Sequence, residues 1–148
     1  MKVKRIVISG LIALTFAACG GYGPPTPGDH KEFDSVCDKA NNGKRVALEG
    51  YLRFPQNFTG DMSVVLRFYK EADFAGTPVG VQTKIESQAN QMELPPSRYT
   101  DKDLQVHLSD GRIATTGTKV KVSGNVYFPM VSQDFTCGLE NPLIESSK

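Results

Sequence analysis

The sequence predicts an all-β protein whose strands close into a small barrel. A strand-like pattern occurs twice, at residues 43–55 and 117–129, and each copy carries a glycine in mid-strand. Glycine in a strand loses entropy on folding and buries no side chain, so it usually marks a bulge, a barrel corner or a close backbone approach. Closing a small barrel needs such bends. We expect five or six strands, with a β-sandwich as the alternative.

The first predicted element is a short N-terminal helix over residues 30–42. Phe33, Val36, Cys37 and Ala40 recur at helical spacing, and Asn-Asn-Gly at 41–43 offers a stop signal. This helix would bring Cys37 to one end of the barrel.

The two copies of the repeated pattern are predicted to be two curved strands. Alternation places four apolar residues of each copy on one face, namely Val46, Leu48, Leu52 and Phe54, and then Val120, Val122, Val126 and Phe128. The mid-strand glycines, Gly50 and Gly124, fall on the inward side. Both copies therefore predict half-buried, bent strands.

Two further strands follow the first copy. Residues 62–69 alternate with Val64, Leu66 and Phe68 inward, and residues 79–85 suggest a third strand at a sheet edge. Residues 88–100 are polar and contain Pro95-Pro96, which forbids a helix through the middle, so we expect a long connection with at most one helical turn.

The second half begins with a predicted hairpin. Residues 104–108 alternate, and Asp110-Gly111 gives the signal of a tight turn before the returning strand. After the second copy, residues 135–144 are apolar but interrupted by Gly138 and Pro142, so they predict a short closing strand at best.

The amino-terminal 18 residues have the pattern of an export signal. A basic start at residues 1–5 precedes an apolar run at 6–16, which is too short to span a bilayer as a helix. Phe16-Ala17-Ala18-Cys19 resembles the lipobox of bacterial lipoproteins. The resemblance implies cleavage before Cys19 and a lipid anchor of acyl chains, including palmitate, on that residue. An ordinary secretory signal with a chance cysteine is the alternative.

The residues after Cys19 give the expected domain layout. Residues 19–29, rich in glycine and proline, predict a tether from the lipidated cysteine to a barrel domain at 30–148. Gly20 stands where an Asp would mark retention in the inner membrane of many Gram-negative bacteria. The resemblance therefore implies the outer membrane, facing the periplasm, with the inner membrane and the cell surface left open.

Cysteine usage agrees with export. With Cys19 used for lipid, Cys37 and Cys137 remain, and an exported pair predicts a disulfide. Two reduced buried thiols are the alternative. Removing Lys2, Lys4 and Arg5 from the 17 basic residues leaves 14 against 16 acidic ones, a net charge of −2. This balance argues against nucleic acid as a partner.

The paired Gly-x-x-Val-x-aliphatic-x-Gly strands resemble the first and fourth strands of OB-fold domains, and the closest likeness is to small OB-like domains of bacterial envelope lipoproteins. The resemblance covers roughly residues 44–146 and implies a Greek-key barrel. OB folds often carry a helix between the third and fourth strands, whereas here only a hairpin-like segment links Leu108 to Lys119. Three explanations stay open: this helix is lost, it is displaced to residues 88–100, or the predicted number of strands is wrong.

The sequence offers little for catalysis. It lacks a Gly-x-Ser-x-Gly motif, and its two histidines, His30 and His107, lie far apart without a cysteine or carboxylate cluster at ligand spacing. His107 reads as a solvated strand residue. We therefore expect neither an enzyme, nor a metal site, nor a cofactor.

Outward positions of the strands are the best candidates for binding: Tyr51, Arg53, Arg67, Tyr69 and Tyr127. OB-like barrels bind ligands on such a face by stacking and polar contacts. Tyrosine also has high β propensity, so an ordinary strand exterior is the alternative. The expectation is a membrane-anchored, non-catalytic binding or assembly module for an envelope protein or glycan. A structural or stress-related envelope protein without a dedicated ligand is the second hypothesis.

Overall fold

Five strands close into one β-barrel in the computed structural model, which describes residues 23–148. The described residues form eight strands in all: β1 (Asp29–His30), β2 (Arg45–Arg53), β3 (Ser63–Tyr69), β4 (Val79–Lys84), β5 (Val106–His107), β6 (Ile113–Ala114), β7 (Lys119–Tyr127) and β8 (Gly138–Ser146). The barrel runs β2-β3-β4-β8-β7, and β7 pairs back onto β2. Only the β4–β8 contact is parallel within it. The predicted barrel is confirmed over the sandwich.

The expected inward faces fill the barrel. Val46, Leu48, Leu52 and Phe54 are at most 4% exposed, and Val64, Leu66 and Phe68 of β3 are also buried. In the second copy Val120, Val122 and Val126 are buried, whereas Phe128 is only partly so. Phe128 lies one residue beyond the end of β7, where the chain leaves the barrel wall.

Both mid-strand glycines lie where backbones come close. At Gly50, β2 changes partner, since Arg45 to Tyr51 pair with β7 and Tyr51 to Arg53 pair with β3. A Cβ on Gly50 would collide with the carbonyl oxygen of Tyr69. A Cβ on Gly124 would lie 2.8 Å from the Cβ of Leu139. The two glycines therefore permit the bends that close the barrel.

The expectation of a short closing strand is wrong, because β8 extends over nine residues. Leu143 pairs with Ser123 and Glu140 with Asn125, so Asn141 and Pro142 lie opposite one residue of β7. This is a β-bulge, where a proline is tolerated because its missing N–H removes no ladder hydrogen bond.

The prediction that residues 79–85 form an edge strand is also wrong. β4 pairs with β3 on one side and, at Gly80 and Val81, with β8 on the other. Closure of the barrel by the unexpectedly long β8 is the reason, since it covers the edge of β4 that would otherwise be free.

The hairpin predicted at Asp110-Gly111 is confirmed, but its strands stand apart from the barrel. Val106 pairs with Ala114 and His107 with Ile113, and β5 and β6 form a two-stranded sheet of their own. Between β4 and β7 the only helical segment is the 3₁₀ turn Asp101–Asp103. The helix that OB folds often carry there is thus not present as a regular helix.

The predicted N-terminal helix over 30–42 is wrong. Two 3₁₀ turns, Phe33–Ser35 and Lys39–Asn41, occupy this segment, and Asp38 between them is extended at φ −66° and ψ 134°. A helix cannot pass through that conformation. Apolar residues of this segment pack against the barrel without a helix, and Val36 among them is fully buried.

Cys37 and Cys137 form the predicted disulfide, with Cα atoms 5.4 Å apart. The bond ties the segment before β2 to the residue that precedes β8. Two distant parts of the chain are therefore held at one place on the barrel.

The chain before β2 lies along the barrel. Asp29 and His30 pair in parallel with Val46 and Ala47, at an edge of β2 that β3 has left. Arg45 Nε donates to the Thr26 carbonyl at 2.6 Å. The predicted signal peptide at 1–18 and the lipid attachment at Cys19 lie outside the described residues. Among residues 23–148, no helix has the length and apolar composition that crossing a membrane requires.

Candidate functional site

Four of the five predicted binding residues lie side by side on the outer face of β2 and β3. Tyr51 pairs with Tyr69, and Arg53 pairs with Arg67, on either side of the inward Leu52–Phe68 pair of the antiparallel ladder. Residues paired in this way have Cβ atoms about 4.5–5.5 Å apart. The alternation that buries Leu52 and Phe68 therefore brings these four side chains together outside.

Tyr127 belongs to the same row although it lies on β7. Following the register around the barrel, Arg53 pairs with Arg67, Arg67 with Gly80, Gly80 with Gly138, and Gly138 with Tyr127. The row thus takes one residue from each barrel strand. Its third and fourth residues are glycines, so large side chains can lie flat on the sheet there.

Aromatic rings cover both glycines of the row. A Cβ on Gly80 would lie 2.8 Å from Cε2 of Phe135, and one on Gly138 would lie 2.5 Å from Cζ of Tyr127. Phe135 is buried and Tyr127 is half-buried. Burial raises the pKa of the Tyr127 hydroxyl, Glu140 raises it further, and the charge of Arg67 opposes both effects. Tyr127 is consequently a packing residue of this face.

Arg67 is held by its neighbours on every side. Its Nε donates to Asp134 Oδ2 at 2.8 Å, its Nη2 lies 2.6 Å from Asp134 Oδ1, and its Nη1 donates to the Val65 carbonyl at 2.5 Å. The guanidinium lies 4.8 Å from the centroid of the Phe135 ring, a cation–π contact. The side chain is 10% exposed. The guanidinium of Arg67 is therefore engaged in contacts within the protein, and little of it is accessible to a ligand.

Arg53 has fewer contacts than Arg67 and is more exposed. Its Nε and Nη2 both contact Asp101 Oδ2, at 2.8 and 2.7 Å, and its guanidinium lies 5.0 Å from the centre of the Phe74 ring. The Asp101 hydrogen bond raises the pKa of Arg53. The side chain is 42% exposed. Its Nη1 group makes no hydrogen bond among the described residues.

A cleft of about 520 Å³ joins these groups. Its walls include Arg53, Arg67, Tyr69, Tyr99, Asp101 and Asp134, and the turn after β2 adds Phe54, Pro55 and Gln56. The two arginines face two aspartates, so the charges of the cleft balance. Tyr69 and Tyr99 supply aromatic surface. Such a mixture suits a polar ligand with apolar faces better than a polyanion.

Tyr99, Asp101 and Asp134 are the site residues that sequence reasoning missed. The ring of Tyr99 lies 4.8 Å from that of Phe54 and 5.8 Å from that of Phe58, which fixes it over the end of β2. Asp101 opens a 3₁₀ turn whose capping box joins Thr100 and Asp103. The pattern Thr-x-x-Asp at 100–103 is typical of a capping box, and it is the local signal that could have predicted this turn.

The tyrosines of the predicted face do not all line one cleft. Tyr69 lines the cleft, whereas Tyr51 lines a separate recess of about 260 Å³ with Glu49, Lys70 and Lys119. Lys119 Nζ lies 3.2 Å from Glu49 Oε2 across this recess. Of the five predicted residues, the cleft therefore gathers Arg53, Arg67 and Tyr69.

His107 is not the solvated residue that the sequence predicts. Its Nε2 lies 2.7 Å from Glu93 Oε1, and Ser87 Oγ donates to Glu93 Oε2 at 2.9 Å. These contacts lower the pKa of Glu93. The carboxylate lies between serine and histidine, so the histidine is not placed to activate the hydroxyl. Within residues 23–148, no three His, Cys, Asp or Glu side chains are grouped to hold a metal ion.

Comparison of the chain with protein-family profiles, with curated proteins and with solved structures finds no match.

Proposed function

We propose that this protein is a membrane-anchored lipoprotein of the bacterial envelope that acts as a non-catalytic binding or assembly module. The observation that carries the proposal is the cleft in which Arg53, Tyr69 and Tyr99 meet. Its aromatic rings and the Arg53 guanidinium, whose Nη1 makes no hydrogen bond among the described residues, suit stacking and directional hydrogen bonds. The ligand is a protein segment or a glycan, because the balanced charges of the cleft give a nucleic acid no electrostatic advantage.

The lipobox-like sequence supports the location. Phe16 to Cys19 follow a basic start and an apolar run, and Gly20 favours the outer membrane with the domain facing the periplasm. The Cys37–Cys137 disulfide agrees with an oxidising compartment. Two or more acyl chains at Cys19 would anchor the protein stably.

The strand order supports an OB-like Greek-key barrel. Numbered along the chain, the five barrel strands lie in the order 1-2-3-5-4, with the third and fifth parallel. In OB folds the loop between strands one and two and the loop between four and five border the ligand face. Here those loops contribute Pro55 and Asp134 to the cleft.

The electrostatics of the cleft favour binding over proton transfer. Hydrogen bonds from Arg67 lower the pKa of Asp134, so this carboxylate is a weak base. The other carboxylate of the cleft, Asp101, is held by Arg53. Both acidic groups therefore position arginines, and Asp134 is poorly suited to accept a substrate proton.

One observation favours the second candidate, a structural or stress-related envelope protein without a dedicated ligand. Arg67 and Tyr127, two of the predicted binding residues, are used to pack the outer face of the barrel. If the remaining cleft residues also served only packing, the barrel would need no partner.

Site-specific photo-crosslinking in cells separates the two candidates. A photoreactive residue replaces Tyr69 or Tyr99 in the cleft, and the matched controls replace Tyr51 in the neighbouring recess and the exposed Lys39. The binding module predicts one discrete adduct from Tyr69 and Tyr99 that the Arg53→Ala change weakens. Absence of any adduct from correctly localised protein would leave the structural candidate. Acylation is followed separately with labelled palmitate, which Cys19→Ser should abolish.

A further inference from the structure

A loop between β7 and β8 exposes two apolar side chains. We call residues 128–137 the clamped loop. Met130 is fully exposed and Val131 is 67% exposed at its tip. Residues 128–133, Phe-Pro-Met-Val-Ser-Gln, carry no charge, although 22% of the chain is charged. Exposed apolar residues grouped in this way mark an interaction surface more often than isolated ones do.

The base of the clamped loop is held by three separate contacts. Asp134 forms the two-pronged ion pair with Arg67, the Phe135 ring packs on Gly80, and Cys137 is bonded to Cys37. A surface that is already ordered loses little conformational entropy on binding. Met130 and Val131 are thus presented by a rigid base.

The clamped loop and residues 23–25 lie on the same face of the barrel. Phe135 covers Gly80 of β4, and residues 23–25 border a recess with Gln82, two residues further along that strand. On β8, Gly138 directly follows the last residue of the loop, and Asn141 Nδ2, three residues further along, donates to the Gly23 carbonyl at 3.5 Å. Two residues of a strand span about 7 Å. Cys19 is four residues before Gly23, at most about 14 Å away.

We propose that the tip of the clamped loop is a second membrane contact: Met130 and Val131 enter the lipid surface beside the acyl chains of Cys19. This inference rests on the lipid anchor of the proposed function. The anchor holds this face within reach of the bilayer, and an uncharged tip enters the interface without desolvating an ion. The contact would orient the barrel on the membrane with the face of Gly80 and Gly138 toward the lipid.

The test places a polarity-sensitive fluorophore at the tip. The full chain is produced with its lipid anchor, and Met130→Cys is labelled with a nitrobenzoxadiazole dye and reconstituted into vesicles of phosphatidylethanolamine and phosphatidylglycerol. Cys19 is blocked by lipid and Cys37 and Cys137 by their disulfide, so the new thiol is the one that reacts. The matched control is Ile113→Cys, since Ile113 is an exposed apolar residue on the hairpin that precedes the other end of β7.

We expect the label at residue 130 to shift its emission to the blue and to be quenched by lipids that carry a nitroxide on the acyl chain. The label at residue 113 should do neither. Protein that floats with the vesicles while both labels emit as in water would overturn the second contact and leave the anchor intact. Protein that does not float, with an unmodified Cys19 in the mass spectrum, would overturn the anchor and this inference together.

Discussion

The phenol ring of Tyr127 occupies the space that a side chain on Gly138 would fill. The two residues are register partners on β7 and β8, and a Cβ on Gly138 would lie 2.5 Å from both Cε1 and Cζ of the ring. The ring therefore lies flat against the β8 backbone. Gly138 also follows Cys137 directly, so the ring covers the start of the strand that closes the barrel.

Gly138→Ala should destabilise the protein by about 1–3 kcal/mol, because the added methyl group forces the Tyr127 ring off the sheet. Urea unfolding followed by circular dichroism measures this change. The control is Gly23→Ala, since a Cβ on Gly23 meets nothing within 4 Å. In a Tyr127→Ala background the cost of Gly138→Ala should shrink, and strict additivity of the two changes would contradict the packing described.

Asp134→Asn should lower stability by about 1 kcal/mol at neutral pH, since it removes the carboxylate that Arg67 contacts through two nitrogens. The figure is kept small because the Asp134 side chain is 54% exposed and solvent screens the pair. Asp61→Asn is the matched control, because Asp61 is exposed and forms no ion pair with any described residue.

The same pair predicts a pH dependence. Arg67 lowers the pKa of Asp134 in the folded protein below the unfolded value of about 3.9. The carboxylate's contribution is therefore fully present above about pH 5 and is lost as pH falls through the folded pKa. The stability difference between the native protein and Asp134→Asn should shrink in acid when urea unfolding is repeated from pH 7 to pH 3. A difference that grows in acid would refute this assignment.

Replacing both Cys37 and Cys137 by alanine should destabilise the barrel by about 2–5 kcal/mol. The disulfide closes a loop with a sequence separation of 100, and a crosslink over a long loop restricts the unfolded chain strongly. Thermal unfolding of the oxidised protein and of the double variant gives the comparison. Adding a reducing agent should lower the midpoint of the native protein toward that of the variant and leave the variant unchanged.

The two arginines of the cleft should respond differently to truncation. Arg67→Ala should cost about 2–3 kcal/mol, because it removes charged hydrogen bonds and the packing of a side chain that is 10% exposed. Arg53→Ala should cost less than about 1 kcal/mol, because its pair with Asp101 is well exposed. Unfolding of the two variants under identical conditions tests the order. A larger loss of stability for Arg53→Ala than for Arg67→Ala would contradict the assignment of Arg67 to packing and of Arg53 to ligand binding.

Alternation along the strands was sufficient to predict most of the barrel core. Val46, Leu48 and their counterparts on β7 are buried because a strand with one wet face must alternate. β8 escaped prediction because Pro142 interrupts its pattern, and a bulge is visible only once the partner strand is known. The N-terminal helix was wrong because the same apolar spacing serves two short turns joined by an extended Asp38.

The candidate site was predicted in part for a related reason. Outward positions on β2 and β3 follow from local alternation, so Arg53, Arg67 and Tyr69 could be named from the sequence. The partners that decide their roles come from distant loops: Asp101 contacts Arg53 from 48 residues away, and Asp134 contacts Arg67 from 67 residues away. No local sequence pattern predicts such pairings. The difference between Arg67, which packs on the barrel, and the more exposed Arg53 is therefore visible only in the folded structure.

The position of β8 has a consequence for the making of the protein. β8 follows every other barrel strand in the chain, yet it lies between β4 and β7. Because the chain is made from its N-terminus, β4 and β7 each have an unpaired edge until β8 is made. Cys37 likewise has no disulfide partner until Cys137 is made. A ribosome or translocation channel that still holds residues 138–146 therefore holds an open sheet. Prematurely terminated chains would expose these unpaired strand edges to proteases and chaperones. The barrel can therefore close only after its final strand is released.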